Sequence, residues 1–284
     1  MPIENISDTA RWVAVYRATE SARRDALFRD PFAERLAGSR GAKIVGEMKK
    51  GPSLAAPMIV RTAVFDEIIM DHVMNRGVDT VINLAAGLDT RAWRLPLPAA
   101  LRWFDVDLPG ITEYKAAAMR GERPACAYEA IAADLTDADV RSAVLQRCGA
   151  LATTALVVTE GLLIYLTAEQ VVALARDIHD VPAARWWLFD MASPDLLQIM
   201  NRHWGKAVAA GSAPFRFAPK EGTRFFEPLG WREAVARSGL EEGRRLRREM
   251  PMMPVWRFLT RFAPPEKKEA FRRMSLFVVL ERVP

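Results

Sequence analysis

Cysteine and histidine are scarce in this chain of 284 residues: there are two cysteines, Cys126 and Cys148, and three histidines, His72, His179 and His203. The cysteines form no Cys-x-x-Cys pair and the histidines lie far apart. Neither a disulfide scaffold nor a zinc cluster is expected, and no metal is assigned. Long apolar runs are missing too, none approaching the roughly 20 residues of a membrane span. The opening MPIENISDTARW lacks the basic-then-apolar order of a secretory signal, so a cytoplasmic protein without a membrane partner is expected. Charge is only mildly one-sided at +5. That excess suits an anionic ligand as well as anything and argues weakly for nucleic acid, and the densest basic run, GRRLRRE at 243–249, reads as a solvated face.

What is present is apolar mass, half of all residues, enough for one large core. Near the start, Trp12, Val13 and Tyr16 have helical spacing. RDPFAERLAG reads as a helix capped by Asp30, with Pro31 at its first position and Gly38 at its exit. PMIVRTAVFDEIIMDHVMNRG reads as a long amphipathic helix closed by Gly77. The pattern then alternates. DTVINLAA, LRWFDVD, CAYEAIAADL, TTALVVTEGLLIYL and ARWWLFDMA each hold a strand. Between them lie the helices LPGITEYKAAAM, a segment from about 137 to 147, and TAEQVVALARDIH, opened by a Thr167–Gln170 capping box. This order predicts an α/β, doubly wound, mostly parallel, Rossmann-like sheet. The alternation breaks after Ser193, and a helix over Trp231–Ser238 and a final strand, MSLFVVLER, complete the reading. A single domain over 1–284 is expected: N-terminal helices at 1–77, a binding core at 78–193, a helical lid insertion at 194–229, and completion of the sheet at 230–284.

In open parallel sheets ligands sit beyond the carboxyl ends of the strands. The first strand ends in the small-residue turn Ala85–Gly87. The second ends in Asp105 and Asp107, two apart and so on one face, the third at Asp134-Leu135, and the fourth at Thr159-Glu160-Gly161. A carboxylate after the second strand suits ribose hydroxyls, and an acid after the third suits an adenine amine. Each acid equally suits the cap of a following helix. Dinucleotides and S-adenosylmethionine fit these acids alike, but the turn lacks the G-x-G-x-x-G pattern that a pyrophosphate wants. Adenosylmethionine has no phosphates. Its carboxylate wants an arginine, and Arg61, on the helix before the first strand, is in reach. Asp89 and Thr90 read as the cap of the next helix.

These residues resemble the leucine carboxyl methyltransferase family, in particular its bacterial branch of S-adenosylmethionine-dependent O-methyltransferases. The resemblance is carried in order by DTARWVAVYRATE, RDPFAERLAG, IVRTAVFDEII, VINLAAGLDTRAWRL, FDVDLP, ADL and TEGLLIYLT, over about residues 7 to 200. It implies a methyltransferase fold with S-adenosyl-L-methionine as cofactor and S-adenosyl-L-homocysteine as product. By the same resemblance Arg61 would bind the methionine carboxylate, Gly87 would lie under the methionine, and Asp107 would hold the ribose with Asp105 beside it. Asp134 and Leu135 would frame the adenine, Glu160 would meet the methionine amine, and Arg11 would assist at the carboxylate. One departure is Ala85, where the family often has glycine.

Methyl transfer needs alignment and exclusion of water more than acid–base chemistry. A carboxylate acceptor is already ionised, whereas a hydroxyl wants a base. No histidine stands at a strand end, which favours a carboxylate of a small molecule or peptide terminus over a hydroxyl. Tyr165 either orients the acceptor or packs in the core. Trp204, Phe215, Phe217, Phe225 and Phe226, with Arg202 and Arg216, either wall a cationic pocket or pack the lid on the sheet. An NAD-dependent oxidoreductase and a non-catalytic adenosylmethionine binder are the alternatives. The short basic runs and the lack of a [DNS]PP[YF] motif disfavour nucleic acid, and the oligomeric state is not legible.

Overall fold

A computed structural model describes residues 6–47, 55–210, 214–251, 253, 258 and 262–283. Among the described residues the strands are β1 (Thr80–Leu84), β2 (Arg102–Asp107), β3 (Ala127–Ala132), β4 (Ala155–Thr159), β5 (Ala184–Ala192), β6 (Trp231–Ser238) and β7 (Ser275–Arg282). They form one sheet in the order β3-β2-β1-β4-β5-β7-β6. The first five are parallel, and β7 runs antiparallel to both β5 and β6.

Every residue of β1 and β4 is buried, as expected for central strands covered on both faces. Alternate residues feed two cores. Ile82, Leu84, Val106 and Trp187 pack on one face, and Val81, Trp103, Leu156 and Leu188 on the other. The covering helices are α1 (Ile6–Ser21), α2 (Ala33–Glu47), α3 (Ala55–Asn75), α4 (Arg91–Arg94), α5 (Pro109–Ala118), α6 (Ala138–Ala150), α7 (Ala168–His179), α8 (Pro194–Ala210), α9 (Gly239–Arg245) and α10 (Pro265–Arg272). Helix α7 opens with the expected Thr167–Gln170 box, in which each side chain bonds the other's backbone N–H. The sheet is thus the mostly parallel α/β arrangement expected from the alternation.

Two local readings are corrected. Trp231–Ser238 is a strand, not a helix: its Ala, Glu and Arg favour a helix locally, but pairing with β7 overrides that preference. Gly38 does not end α2. It kinks the helix at φ 59° and the chain continues to Glu47. Asp30 does accept the Phe32 N–H, but its other oxygen takes hydrogen bonds from Arg17 and from the Thr90 hydroxyl, which ties α1 to the turn after β1.

The strand order reverses between β1 and β4, with β2 and β3 on one side and β5 on the other. In such sheets this switch point is where a crevice opens.

Candidate functional site

A cavity of about 450 Å³ opens at this point, within the range of small-molecule sites. Its floor is the set of strand ends, and α1 closes over it through Ala10, Trp12, Val13 and Arg17. The covering wall therefore comes largely from the N-terminal helix. The 194–229 region adds Met200 and Phe215.

The turn after β1 is shaped by backbone conformation. Ala85 (φ 52°) and Gly87 (φ 53°) both lie in the left-handed region. The Gly87 N–H donates to Asp107 Oδ2 at 2.6 Å, and the Leu108 N–H donates to Oδ1 at 2.7 Å. Asp107 therefore closes the turn while its remaining lone pairs stay available on the cavity wall. Burial pushes its carboxyl above the usual range. Asp89 accepts the Arg91 N–H, as a cap should, whereas Thr90 is spent on Asp30.

Arg61, from α3, reaches the end of β4. Its Nε lies 2.9 Å from Glu160 Oε1, and its Nη1 lies 3.2 Å from Asp190 Oδ2. Asp190 also accepts the Gly161 N–H at 2.5 Å. A Cβ at Gly161 would stand 2.9 Å from Arg61 Nη1, and the residue has φ +67°, so this position needs glycine on both counts. Glu160 is joined from the other side by Arg91 Nη1 at 2.7 Å. Burial pushes Glu160 up, but Arg91 and Arg61 outweigh it and hold the carboxyl below its usual range. Arg91 and Arg94 both bind Asp66 as well.

Leu135 and Asp134 line the cavity beyond β3. Asp134 is exposed and accepts the backbone N–H and hydroxyl of Thr136, which hold its pKa low. Tyr165 also lies on the wall, its ring 5.6 Å from that of Phe215. Burial pushes its phenol up to about 12.

Arg61, Gly87, Asp107, Asp134, Leu135, Glu160 and Tyr165 therefore share one cavity wall. Asp105 and Arg11 do not. Asp105 is buried behind the wall, accepting from Asn83, from the Trp103 indole at 2.8 Å and from Lys115 at 2.5 Å. Its alternation with Asp107 led to a shared face but not to a shared partner. Arg11 stacks on the ring of Tyr114, its guanidinium carbon 3.7 Å from the centroid. Of the two readings of the lid aromatics, packing on the sheet holds for most of those described, and only Phe215 reaches the cavity. Phe217, Phe225 and Phe226 pack with Trp187 and Trp231 under the sheet, and Arg202 and Arg216 are exposed. The Trp204 side chain lies outside the described residues.

Among the wall residues that went unread in the sequence are Asp190 and Arg91. Asp190 stands near the carboxyl end of β5, and the rule that found Glu160 and Asp107 would have found it. Arg91 had no such signal, because its partners Asp66 and Glu160 come from distant elements. Among the described residues no group of acids, histidines and cysteines is placed to hold a metal. Among them, too, no helix is long and apolar enough to cross a membrane.

Comparison with known proteins shows the family. The family model for leucine carboxyl methyltransferase matches residues 10–179. A relative from Streptomyces coelicolor is 36% identical over 234 residues, covering 78% of this chain and 80% of that protein. One from Frankia alni is 33% identical over 255 residues, covering 81% and 88%. One from Mycobacterium marinum is 34% identical over 204 residues, covering 65% of this chain and 64% of the relative. The names of all three assign them as S-adenosyl-L-methionine-dependent methyltransferases. A DUF574 family protein from Streptomyces avermitilis shares the fold at a TM-score of 0.61 and 13% identity, over 97% of both chains. A protein from Thermobifida fusca, assigned as a methyltransferase, does so at 0.55 and 15%, over 100% of this chain and 97% of its own. The chain belongs to the leucine carboxyl methyltransferase family.

Proposed function

We propose that this protein is an S-adenosyl-L-methionine-dependent O-methyltransferase that methylates a carboxylate or hydroxyl of a small molecule or peptide terminus. The observation that carries the reading is the pairing of Arg61 with Glu160 at the end of β4, in the same cavity as Asp107 at the end of β2. A cation and an anion side by side suit the carboxylate and ammonium of an amino acid, and a carboxylate with free lone pairs suits a ribose. The surrounding charges point the same way. Arg61, Arg91 and Arg94 face Asp66, Asp89, Glu160 and Asp190, which leaves the cluster one negative charge when all are ionised. A ligand with one net positive charge, as a sulfonium amino acid has, balances it. A dinucleotide fares worse. The Gly87 N–H, which a pyrophosphate would need, is already donated to Asp107, and the wall adds negative charge against the phosphates.

The donor supplies a methyl group already activated on sulfonium for in-line displacement. The chain's own part is to hold it and to keep water out. Arg61 and Glu160 would fix the amino-acid end, Asp107 the ribose, and Leu135 and Asp134 the base, while Trp12 and Val13 of α1 cover the cavity. The reading sets the protein in the cytoplasm, in keeping with two unpaired, buried cysteines, and gives no role to nucleic acid or membrane. Calorimetric titration with S-adenosyl-L-homocysteine and NAD tests it. Uptake of the adenosyl ligand and none of NAD is expected, and the reverse order would overturn the assignment.

A further inference from the structure

We infer that Asn83 is a positioning residue for the amino-acid end of the methyl donor, setting the place of the Glu160 carboxylate through Asp89 and Arg91. The inference rests on the methyltransferase reading and adds a residue to the same site. Asn83 is 2% exposed, near the end of β1, and the parallel register sets it beside Asp105 of β2. Its amide nitrogen carries two hydrogens, and both are used. One goes to Asp105 Oδ1 at 2.9 Å and the other to Asp89 Oδ2 at 3.1 Å. Each of these carboxylates also holds a buried cation. Lys115 Nζ stands 2.5 Å from Asp105 Oδ2, and Arg91 Nη1 stands 2.6 Å from Asp89 Oδ2. One neutral amide therefore ties together two buried ion pairs.

Arg91 carries this arrangement to the cavity. Its Nη1 also lies 2.7 Å from Glu160 Oε2, while its Nε is fixed by Asp66 Oδ1 at 2.7 Å. Glu160 is thus held on one oxygen by Arg91 and on the other by Arg61 Nε at 2.9 Å. Rings line the chain of contacts: Lys115 Nζ sits over Trp93 and Tyr128, and the Arg91 guanidinium over Phe65. In such surroundings each bond is strong and a missing partner is costly. Without the amide, Asp89 and Asp105 keep their charges and lose the donor between them. Asp89 then draws away, Arg91 follows it, and Glu160 Oε2 leaves the place prepared for the donor's ammonium. Asp107 takes its hydrogen bonds from the Gly87 and Leu108 N–H groups, outside this chain. The ribose end is therefore independent of the amide. Asp105, buried behind the wall, gains a part in the site as the far anchor of Asn83.

The test compares S-adenosyl-L-homocysteine with methylthioadenosine, which has the same base, ribose and sulfur but no amino acid. Both are titrated calorimetrically into the whole protein, the weaker ligand by displacement. Wild type should bind the homocysteine ligand at least about ten-fold tighter. Asn83→Leu, similar in size and without donors, should weaken that ligand about ten-fold and methylthioadenosine by less than about two-fold. Asn83→Ser, which keeps one donor, should fall between. In a Glu160→Gln background Asn83→Leu should add less than about two-fold, because the path is already cut. Equal loss of both ligands, an unchanged ratio, or losses that add in full to Glu160→Gln would each overturn the inference. Failure of both Asn83 variants to melt cooperatively would overturn it too, making the amide a requirement of the fold. Wild-type protein that binds neither ligand, or both alike, overturns the reading of the site itself.

Discussion

Ala85 holds a backbone conformation that costs an L-residue about 1–2 kcal/mol, next to Gly87, which adopts it freely. Ala85→Gly should therefore stabilise the protein, by about 0.5–1 kcal/mol after the extra chain entropy of glycine is subtracted. Denaturant unfolding checks this, and a lower midpoint would contradict the strain. Gly161→Ala runs the other way: its Cβ meets Arg61 Nη1 at 2.9 Å, so Arg61 must move and affinity for adenosyl ligands should fall about ten-fold or more. Asp107 adds a pH signature. Burial raises its pKa, so as pH falls it protonates before an ordinary carboxylate and loses acceptor capacity. Ligand affinity should weaken on mild acidification in the wild type and much less in Asp107→Asn. At this scale the strand-end rule led to Asp107 and Glu160, and the chemistry of a carboxylate ligand led to Arg61 on the preceding helix; all three line the cavity. It misled at Asp105 and Arg11, whose partners Lys115 and Tyr114 are set by packing between elements and leave no local pattern.

Elements were legible where periodicity and caps agreed, as in α7 and β5, and illegible where tertiary pairing overruled propensity. Strand β6 is the case in point. Its Arg232, Glu233 and Arg237 guard a sheet edge, and only Trp231 and Ser238 are buried, so no alternation of apolar residues announces a strand. Trp231 is what anchors it: the indole donates to Ala175 O at 3.1 Å and sits 5.8 Å from the Trp187 ring. Trp231→Ala should cost about 3–5 kcal/mol, read by chemical denaturation, and a loss below about 1 kcal/mol would show that the edge is held by pairing alone. Helix α1 is the other lesson of this scale. Its helical spacing was plain, but its use as the cavity's cover depends on Arg17, Asp30 and Thr90 meeting across 13 and 60 positions.

For the molecule as a whole, burial of charge sets the response to acid. Glu160 is held below its ordinary value of 4.5 in the folded state, so its contribution is full above that value and is lost as pH falls through the folded pKa. His72 is lowered from 6.5 by burial, so the unfolded chain protonates first and stability begins to drop below about that pH. Thermal melts should be flat near neutrality and fall progressively in acid, and a melting point that rises from pH 7 to 5 would contradict this balance. The sheet order, the cavity at its switch point and the family all meet in one claim, that Asp107 and the Arg61–Glu160 pair hold S-adenosyl-L-methionine. Side-by-side calorimetry of wild type and Asp107→Ala with S-adenosyl-L-methionine tests it most directly. The account predicts saturable binding to the wild type and at least about a ten-fold loss in the variant; equal affinity in the two, or none in either, would contradict it.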